Sequence, residues 1–411
     1  MSFLLSVQEG LDVLGRQVLL NDVIGKIRYA ALLCVDTLLA LLWKGTQHPD
    51  RILVVRVDAI GDFILWIDAA QATVKYYKAQ GKKVVLLANA IWASWAKELA
   101  IFDDIIALDR HLYIDSLLYR FRIGYRIRML GCAIAVHPTY SREWLFGDAI
   151  VRISGAEERI GSSGNNSNIT SPQKRISDRW YTRLIYSDPS TQMELIRNAE
   201  FVKGLFGIDF RGKLPNLRAT SELRLDGAFA AAIGDSPRYY VLFPGAGFKY
   251  RQWPVRSFAQ IAERVYRKAG WQGVVCGGDA DRELAEQLCK QCSAPLLNWA
   301  GRTDLSQLAA IVAAAQLLLT NETSATHLAA ACGVPTVCIL GGGHYGRFMP
   351  YEVEQTDDRP LPHAIIHQMP CFGCNWRCIY ERSYGAPVPC IEQIGMAEVW
   401  QAISKIIGPV I

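Results

Sequence analysis

Net charge is small in this sequence. Across 411 residues, 44 Lys and Arg stand against 39 Asp and Glu, leaving +5. So small an excess on so long a chain argues against a dedicated nucleic-acid binder; an anionic ligand or an acidic membrane surface suits it better. Long apolar runs are also missing. The nearest, Tyr29 to Trp43, contains Asp36 and Thr37 and falls short of the ~20 residues that span a bilayer. It reads as a packed helix or, with Lys26, Arg28 and Lys44 at its ends, as an interfacial anchor. Met1 to Leu20 shows no basic region followed by an apolar run and a cleavage site, which predicts a protein that stays in the cytoplasm.

Apolar residues, in contrast, are plentiful at 51%, with 20% charged, and global disorder is excluded. At about 150 residues per domain, the length suits two or three domains. From Arg51 the text alternates short β-branched runs with helical stretches: Ile52–Val55, a turn at Gly61, a helix through Gln80, then Val84–Leu87, Ile105–Leu108 and Cys132–Val136. Strand, turn, helix, strand in this rhythm predicts a parallel sheet covered by helices. Ser154 to Arg179, rich in Ser, Asn and Gly, reads as a long loop, and Arg211 to Arg238 as a connection. A second rhythm starts at Tyr239–Phe243, with a helix over Val255–Ala269 and strands at Gly273–Cys276, Leu317–Thr320 and Thr336–Leu340. Two such halves predict a ligand cleft.

Three strand-to-helix turns carry chemistry. Asp58-Ala59-Ile60-Gly61-Asp62 puts a carboxylate at a strand's carboxyl end, as a catalytic group or as an ordinary helix cap. Gly245, Gly247, Lys249 and Arg251 precede a helix opened by Trp253-Pro254, which suits a phosphate, although solvated loop cations would look the same. Thr323, Ser324 and the helix that follows can also face an anion; His327, one turn in, reads by itself as a packed histidine. Of eleven cysteines, seven are scattered, as in a reducing compartment. Cys371, Cys374, Cys378 and Cys390 cluster among Gly and Pro, a donor set suited to a structural zinc or iron ion, with free thiols or disulfides as alternatives.

In order and spacing, the chain from Arg51 onward resembles glycosyltransferase family 9, the heptosyltransferase-like enzymes. The resemblance is carried by Arg56–Asp62, Arg159-Ile160-Gly161, Pro244-Gly245-Ala246 with Trp253-Pro254, Gly277–Glu283, Ala300–Leu305, and Asn321–His327 with Gly333-Val334-Pro335. It implies an α/β GT-B fold: two Rossmann-like domains facing a central cleft, after an N-terminal helical extension. The expected division is 1–50 for the extension, 51–225 for the acceptor-binding domain and 226–411 for the nucleotide-sugar domain, with its Cys-rich segment at 371–390.

The resemblance implies inverting sugar transfer with no required cofactor. ADP-heptose is the favoured donor, and the acceptor a lipopolysaccharide-type glycan or glycolipid, with peripheral membrane contact. Asp62 matches the base that deprotonates the acceptor. Gly61, Gly245, Lys249, Arg251, Asp281, Glu322, Thr323, Ser324 and His327 fall at donor-binding positions. Arg251 stands where the family usually has Lys, and Asp281 where an acidic residue meets the ribose. Two alternatives stand: a nucleotide-sugar epimerase-like enzyme of the same architecture and, since Asn321-Glu322-Thr323-Ser324 departs from the usual Asp-Thr-Gly, a catalytically silent sugar-nucleotide-binding or assembly protein. The four-cysteine metal site is expected to be structural and separate from sugar transfer.

Overall fold

Ile52–Val55 lies in strand β1 (His48–Arg56), fully buried on both faces, which is why it reads as an unbroken apolar run. The computed structural model describes residues 23–42, 46–220, 223–234, 238–353, 357–383 and 385–409. Around β1 stand β2 (Lys83–Asn89), β3 (Asp104–Leu108), β4 (Cys132–His137), β5 (Glu158–Ser162) and β6 (Arg183–Ile185), all parallel, in the order β3-β2-β1-β4-β5-β6. A second parallel sheet comprises β7 (Tyr239–Phe243), β8 (Gln272–Val275), β9 (Leu296–Asn298), β10 (Leu318–Asn321), β11 (Thr336–Ile339) and β12 (His363–Ile365). Its order, β12-β11-β10-β7-β8-β9, is the same winding. In both, the order reverses between the first and fourth strands, and loops leaving those strands at their carboxyl ends diverge to leave a crevice.

The chain divides into two compact units, one running to Ser190 with Leu195–Gly212, the other comprising Thr191–Glu194 and Lys213 onward. The second unit thus takes over at Lys213, ahead of the expected start at 226. The Arg211–Arg238 stretch, although mostly exposed, is anchored to the second unit at a few points. Arg218 hydrogen-bonds the Cys332 and Ala313 carbonyls, and fully buried Phe229 meets the Tyr239 and Trp299 rings.

In the first unit, helix α1 (Val23–Leu41) precedes the sheet, while residues 1–22 of the expected extension lie outside the described residues. Asp36 of α1 is buried and meets Arg120 through two 2.6 Å hydrogen bonds. After α2 (Ile60–Ala79), Arg120 belongs to α3 (Leu117–Met129). On the same helix, Arg128 donates to the Ala40 and Leu42 carbonyls closing α1 and to Ile153 in α4 (Ala149–Ser154). A planar five-donor guanidinium suits capping two helix ends at once. No helix among the described residues is long and apolar enough to cross a membrane.

The expected loop from Ser154 to Arg179 is broken by β5 and by α5 (Ser171–Ser177), with residues 163–170 irregular between them. Within the strand, position 161 requires glycine, since a Cβ there would come within 2.4 Å of the Tyr181 ring. Helix α5 opens on a capping box, Thr170 with Gln173, and has Pro172 in its first turn. In the second unit, α6 (Val255–Ala269) buries Phe258, Ile261, Ala262 and Val265 and stops at Gly270, φ +67°; α7 (Ser324–Ala331) follows β10.

Removing the Asp36 carboxylate leaves the Arg120 guanidinium buried without its anion. Asp36→Ala is expected to cost about 3–5 kcal/mol, read as a lowered urea midpoint; an unchanged midpoint would show that α1 is not anchored through this pair.

Candidate functional site

At the first switch point, fully buried Arg56 ends β1 and its Nε stands 2.7 Å from Asp58 Oδ2. Thr139, beyond β4, donates to the same oxygen at 3.1 Å, and the Asp58 carbonyl accepts from the Asn89 side chain (3.1 Å) and the Trp92 indole (2.9 Å). The loop is therefore pinned from three strands' ends. Helix α2 then begins with Ala59 as its N-cap and no side-chain cap bond, so neither aspartate caps it. Asp62 occupies the first turn, half-buried behind half-buried Gly61, where the helix's N-terminal partial charge favours a carboxylate.

Behind this loop is a polar cluster that the sequence did not announce. The Tyr181 hydroxyl donates to Asp148 Oδ1 at 2.6 Å and lies 2.8 Å from His137 Nδ1, which makes Nδ1–H the donor on a neutral imidazole. Burial drives His137 down to about 3, helped by Arg142 and Arg56. Asp148 closes a π-helical turn, Trp144–Asp148, in which Gly147 leaves room for the imidazole; a Cβ would come within 2.2 Å of that ring.

At the second switch point, buried Asn321 ends β10 and ties the β7 loop down. Its amide donates to the Pro244 carbonyl (2.6 Å) and its oxygen accepts from the Trp253 N–H (3.0 Å). Gly245 is required, since a Cβ would lie 2.3 Å from Asp281 Oδ1; Asp281 in turn accepts from the Gly278 N–H at 2.9 Å, and burial pushes its carboxyl up. Lys249 is exposed on a 3-10 turn. Arg251 points inward, with Nη2 3.2 Å from the Glu322 carbonyl and 3.4 Å from Glu322 Oε2. Glu322 is 6% exposed, and burial raises its carboxyl against the pull of Arg251 and Arg347. Thr323 caps α7 by accepting from the Ala325 N–H, and Ser324 is the first helical residue.

His327 is buried, with Nδ1 2.8 Å from the Tyr351 hydroxyl, and burial lowers it to about 4. Arg251, Glu322, Thr323 and Ser324 are thus brought together, Gly245 and Asp281 form a second pair, and Lys249 stays on the surface. The reading from sequence missed Arg347 and Trp376, whose ring centre lies 4.2 Å from the Arg251 guanidinium carbon. Three successive glycines at 341–343 were the available signal, because the Trp376 ring packs on Gly341 and Gly343 and the Phe372 ring on Gly342.

Cys371, Cys374, Cys378 and Cys390 line one pocket with Gly342, Gly343 and Trp376. All four are free thiols. Burial raises Cys374 and Cys390, and the neighbouring cysteines of the cluster raise them further. Among the described residues, no group of three or more His, Cys, Asp or Glu is arranged to hold a metal ion. Nor is the segment remote from the other cluster: Trp376, between Cys374 and Cys378, covers Arg251.

Two successive sheets of nucleotide-binding order, each gathering polar groups at its switch point, define the GT-B class of fold. The chain belongs to glycosyltransferase family 9 (heptosyltransferase), whose profile matches residues 149–372, more than half its length. It is similar to lipopolysaccharide heptosyltransferase 2 of Salmonella typhimurium, 30% identical over 103 residues, which is 24% of this chain and 29% of that protein. The aligned stretch therefore spans under a third of that relative. Among solved structures, a glycosyl transferase family 9 protein from Veillonella parvula superposes with TM-score 0.63 at 17% identity, over 90% of this chain and 99% of that one. The iron-containing dodecameric glycosyltransferase TibC from enterotoxigenic E. coli superposes with TM-score 0.52 at 12% identity, over 89% and 77%. TibC has also been solved with ADP-D-beta-D-heptose. At such identities these structures establish the fold alone.

Three histidines, His137, His327 and His344, are depressed by burial and set an acid limit. An unfolded histidine takes up its proton near 6.5, whereas folded His327 waits until about 4. Between those values the unfolded chain binds more protons, so stability falls as pH drops, by about 1.4 kcal/mol per unit for each such group. His327→Gln should flatten the fall in urea midpoint between pH 6.5 and 4 relative to wild type; identical slopes would show that His327 titrates normally.

Proposed function

We propose that this protein is an inverting glycosyltransferase that moves heptose from ADP-heptose to a hydroxyl of a lipopolysaccharide-type or other glycan acceptor, working in the cytoplasm at the inner face of the membrane. The observation that carries the reading is Arg251. It is a cation held at a switch point beside a helix N-terminus, and among the described residues its buried Nε has no hydrogen-bond partner. A leaving diphosphate needs this kind of support.

In this reading the first unit takes the acceptor and the second the donor. Asp62 accepts the proton from the acceptor hydroxyl as that oxygen bonds to the sugar's C1, while the bond from C1 to the phosphate oxygen breaks and ADP departs with the electron pair. Arg251, Lys249 and the first turn of α7, with Thr323 and Ser324, face the departing phosphates. Gly61 and Gly245 allow close approach, Asp281 meets the ribose, and neutral His327, bonded to Tyr351, shapes the wall rather than carrying a proton. Glu322 holds Arg251 before the donor arrives; its raised carboxyl eases protonation once phosphate competes for the same guanidinium.

Purified protein offered a panel of nucleotide sugars, with and without lipid-linked glycan acceptors, tests the reading: ADP-heptose should bind and give an acceptor product of inverted anomeric configuration. Conversion of donor without acceptor would identify an epimerase-like enzyme, and binding without turnover a silent binder. Asp62→Asn should keep donor affinity but lower turnover by roughly 100-fold or more, and equal turnover at saturating donor would remove Asp62 from the mechanism.

We also assign one structural zinc or iron ion per chain to Cys371, Cys374, Cys378 and Cys390. Support comes from their shared pocket and from the raising of Cys374 and Cys390 by neighbouring thiols of the cluster, which a cation would relieve. No step of the transfer runs through it. Elemental analysis of protein purified without a metal-affinity tag should find one equivalent, lost together with thermal stability in Cys374→Ser. Substoichiometric metal in fully active protein would leave the four as thiols.

A further inference from the structure

Trp376 stands in a part of the chain to which the transfer reaction gives no role. Its backbone and that of Asn375 both adopt the left-handed region, at φ +62° and +50°, a conformation that costs energy in non-glycine residues and persists only where neighbours enforce it. Here they do. The Gly373 and Asn375 N–H groups donate to the Gly342 and Gly343 carbonyls at 2.8 and 2.9 Å. His344 joins the two side chains, its Nε2 2.8 Å from Asn375 Oδ1 and its Nδ1 3.2 Å from the Trp376 indole nitrogen. Since the indole only donates, Nδ1 accepts and Nε2–H donates, which is one tautomer of a neutral ring. Gly341 and Gly343 provide the bed, where a Cβ would lie 2.7 and 2.3 Å from the indole.

All this precision delivers a ring face to one guanidinium. The Arg251 Cζ lies 4.2 Å from the ring centre, and among the described residues the guanidinium otherwise donates to the Glu322 carbonyl at 3.2 Å and lies 3.4 Å from its carboxylate. An arginine side chain has many rotamers, and a single 3.4 Å contact with a carboxylate does not select one. A flat aromatic face fixes the guanidinium plane while leaving its in-plane N–H groups free to donate.

We infer that Trp376 is a positioning residue for Arg251, orienting the guanidinium toward the donor phosphates, and that the cysteine segment serves the donor site by holding this ring. The inference rests on the reading of Arg251 as a phosphate ligand. It makes the four-cysteine segment part of donor recognition without any sulfur touching the donor.

Trp376→Leu keeps apolar bulk over the glycines and removes the ring's charged face. Calorimetry should show ADP affinity falling about tenfold, with adenosine unchanged and Trp376→Phe restoring most of the loss. In an Arg251→Ala background the same substitution should cost ADP affinity nothing further. Additive losses, or equal losses for ADP and adenosine, would overturn the inference. Should Trp376→Leu fail to fold, a ring-fluorinated tryptophan at 376 keeps the shape and weakens the negative face, with the same expectation. A crystal structure of either variant without ligand separates the two readings. If wild type binds no ADP-sugar, the donor assignment fails, yet a displaced Arg251 would still support the positioning role. An Arg251 that stays where wild type holds it would end that role whatever the nucleotide results.

Discussion

Two parallel strands whose onward connections run to opposite faces of a sheet cannot close over the gap between their carboxyl ends. Everything distinctive in this protein gathers at two such gaps, after β1 and β4 and after β7 and β10. Backbone groups there have no ladder partner, so side chains must satisfy them. In the second unit Asn321 does this, using its amide and its oxygen to bind the β7 loop to β10. In the first, Asp58 gathers Arg56, Thr139, Asn89 and Trp92 around one turn. These clamps are what let Asp62 and Arg251 stand at defined places on otherwise irregular backbone.

The electrostatics of the two units differ in a way that suits their proposed partners. The first unit buries much of its charge in closed pairs and relays, such as Arg56 with Asp58 and His137 with Tyr181 and Asp148. The second keeps Arg251 only loosely committed, to a glutamate whose own ionisation is discouraged by burial. A binding site for a dianionic group gains from a cation whose resident partner is easily displaced, since the cost of exchanging partners is then small. Replacement of a shorter acid by Glu322 is consistent with that arrangement, because the longer side chain reaches Arg251 from within the first turn after β10.

Legibility followed the range of the interaction. Helix α6 was readable to the residue because its apolar spacing and Gly270 are local signals, and the buried central strands announced themselves as apolar runs. Helix α5 was equally local, with Thr170, Pro172 and Gln173 in plain view, but the surrounding Asn, Ser and Gly masked it. The packing of Phe229 and Arg218, which turned an expected connection into part of the second unit, depends on partners about 70 to 114 residues away. The same holds for the site. Asp62 and Arg251 sit in motifs, whereas Trp376 meets Arg251 from far along the chain, and only the run of glycines at 341–343 hinted that rings would lie there.

The pairing of α1 with α3 also sets a schedule. Asp36 is made 84 residues before Arg120. At about 5–20 residues per second, translation takes roughly 4 to 17 seconds to supply the partner. Throughout that interval the Asp36 carboxylate has not yet met the buried guanidinium that accompanies it in the finished unit. The docking of α1 through this pair therefore waits until α3 has been made.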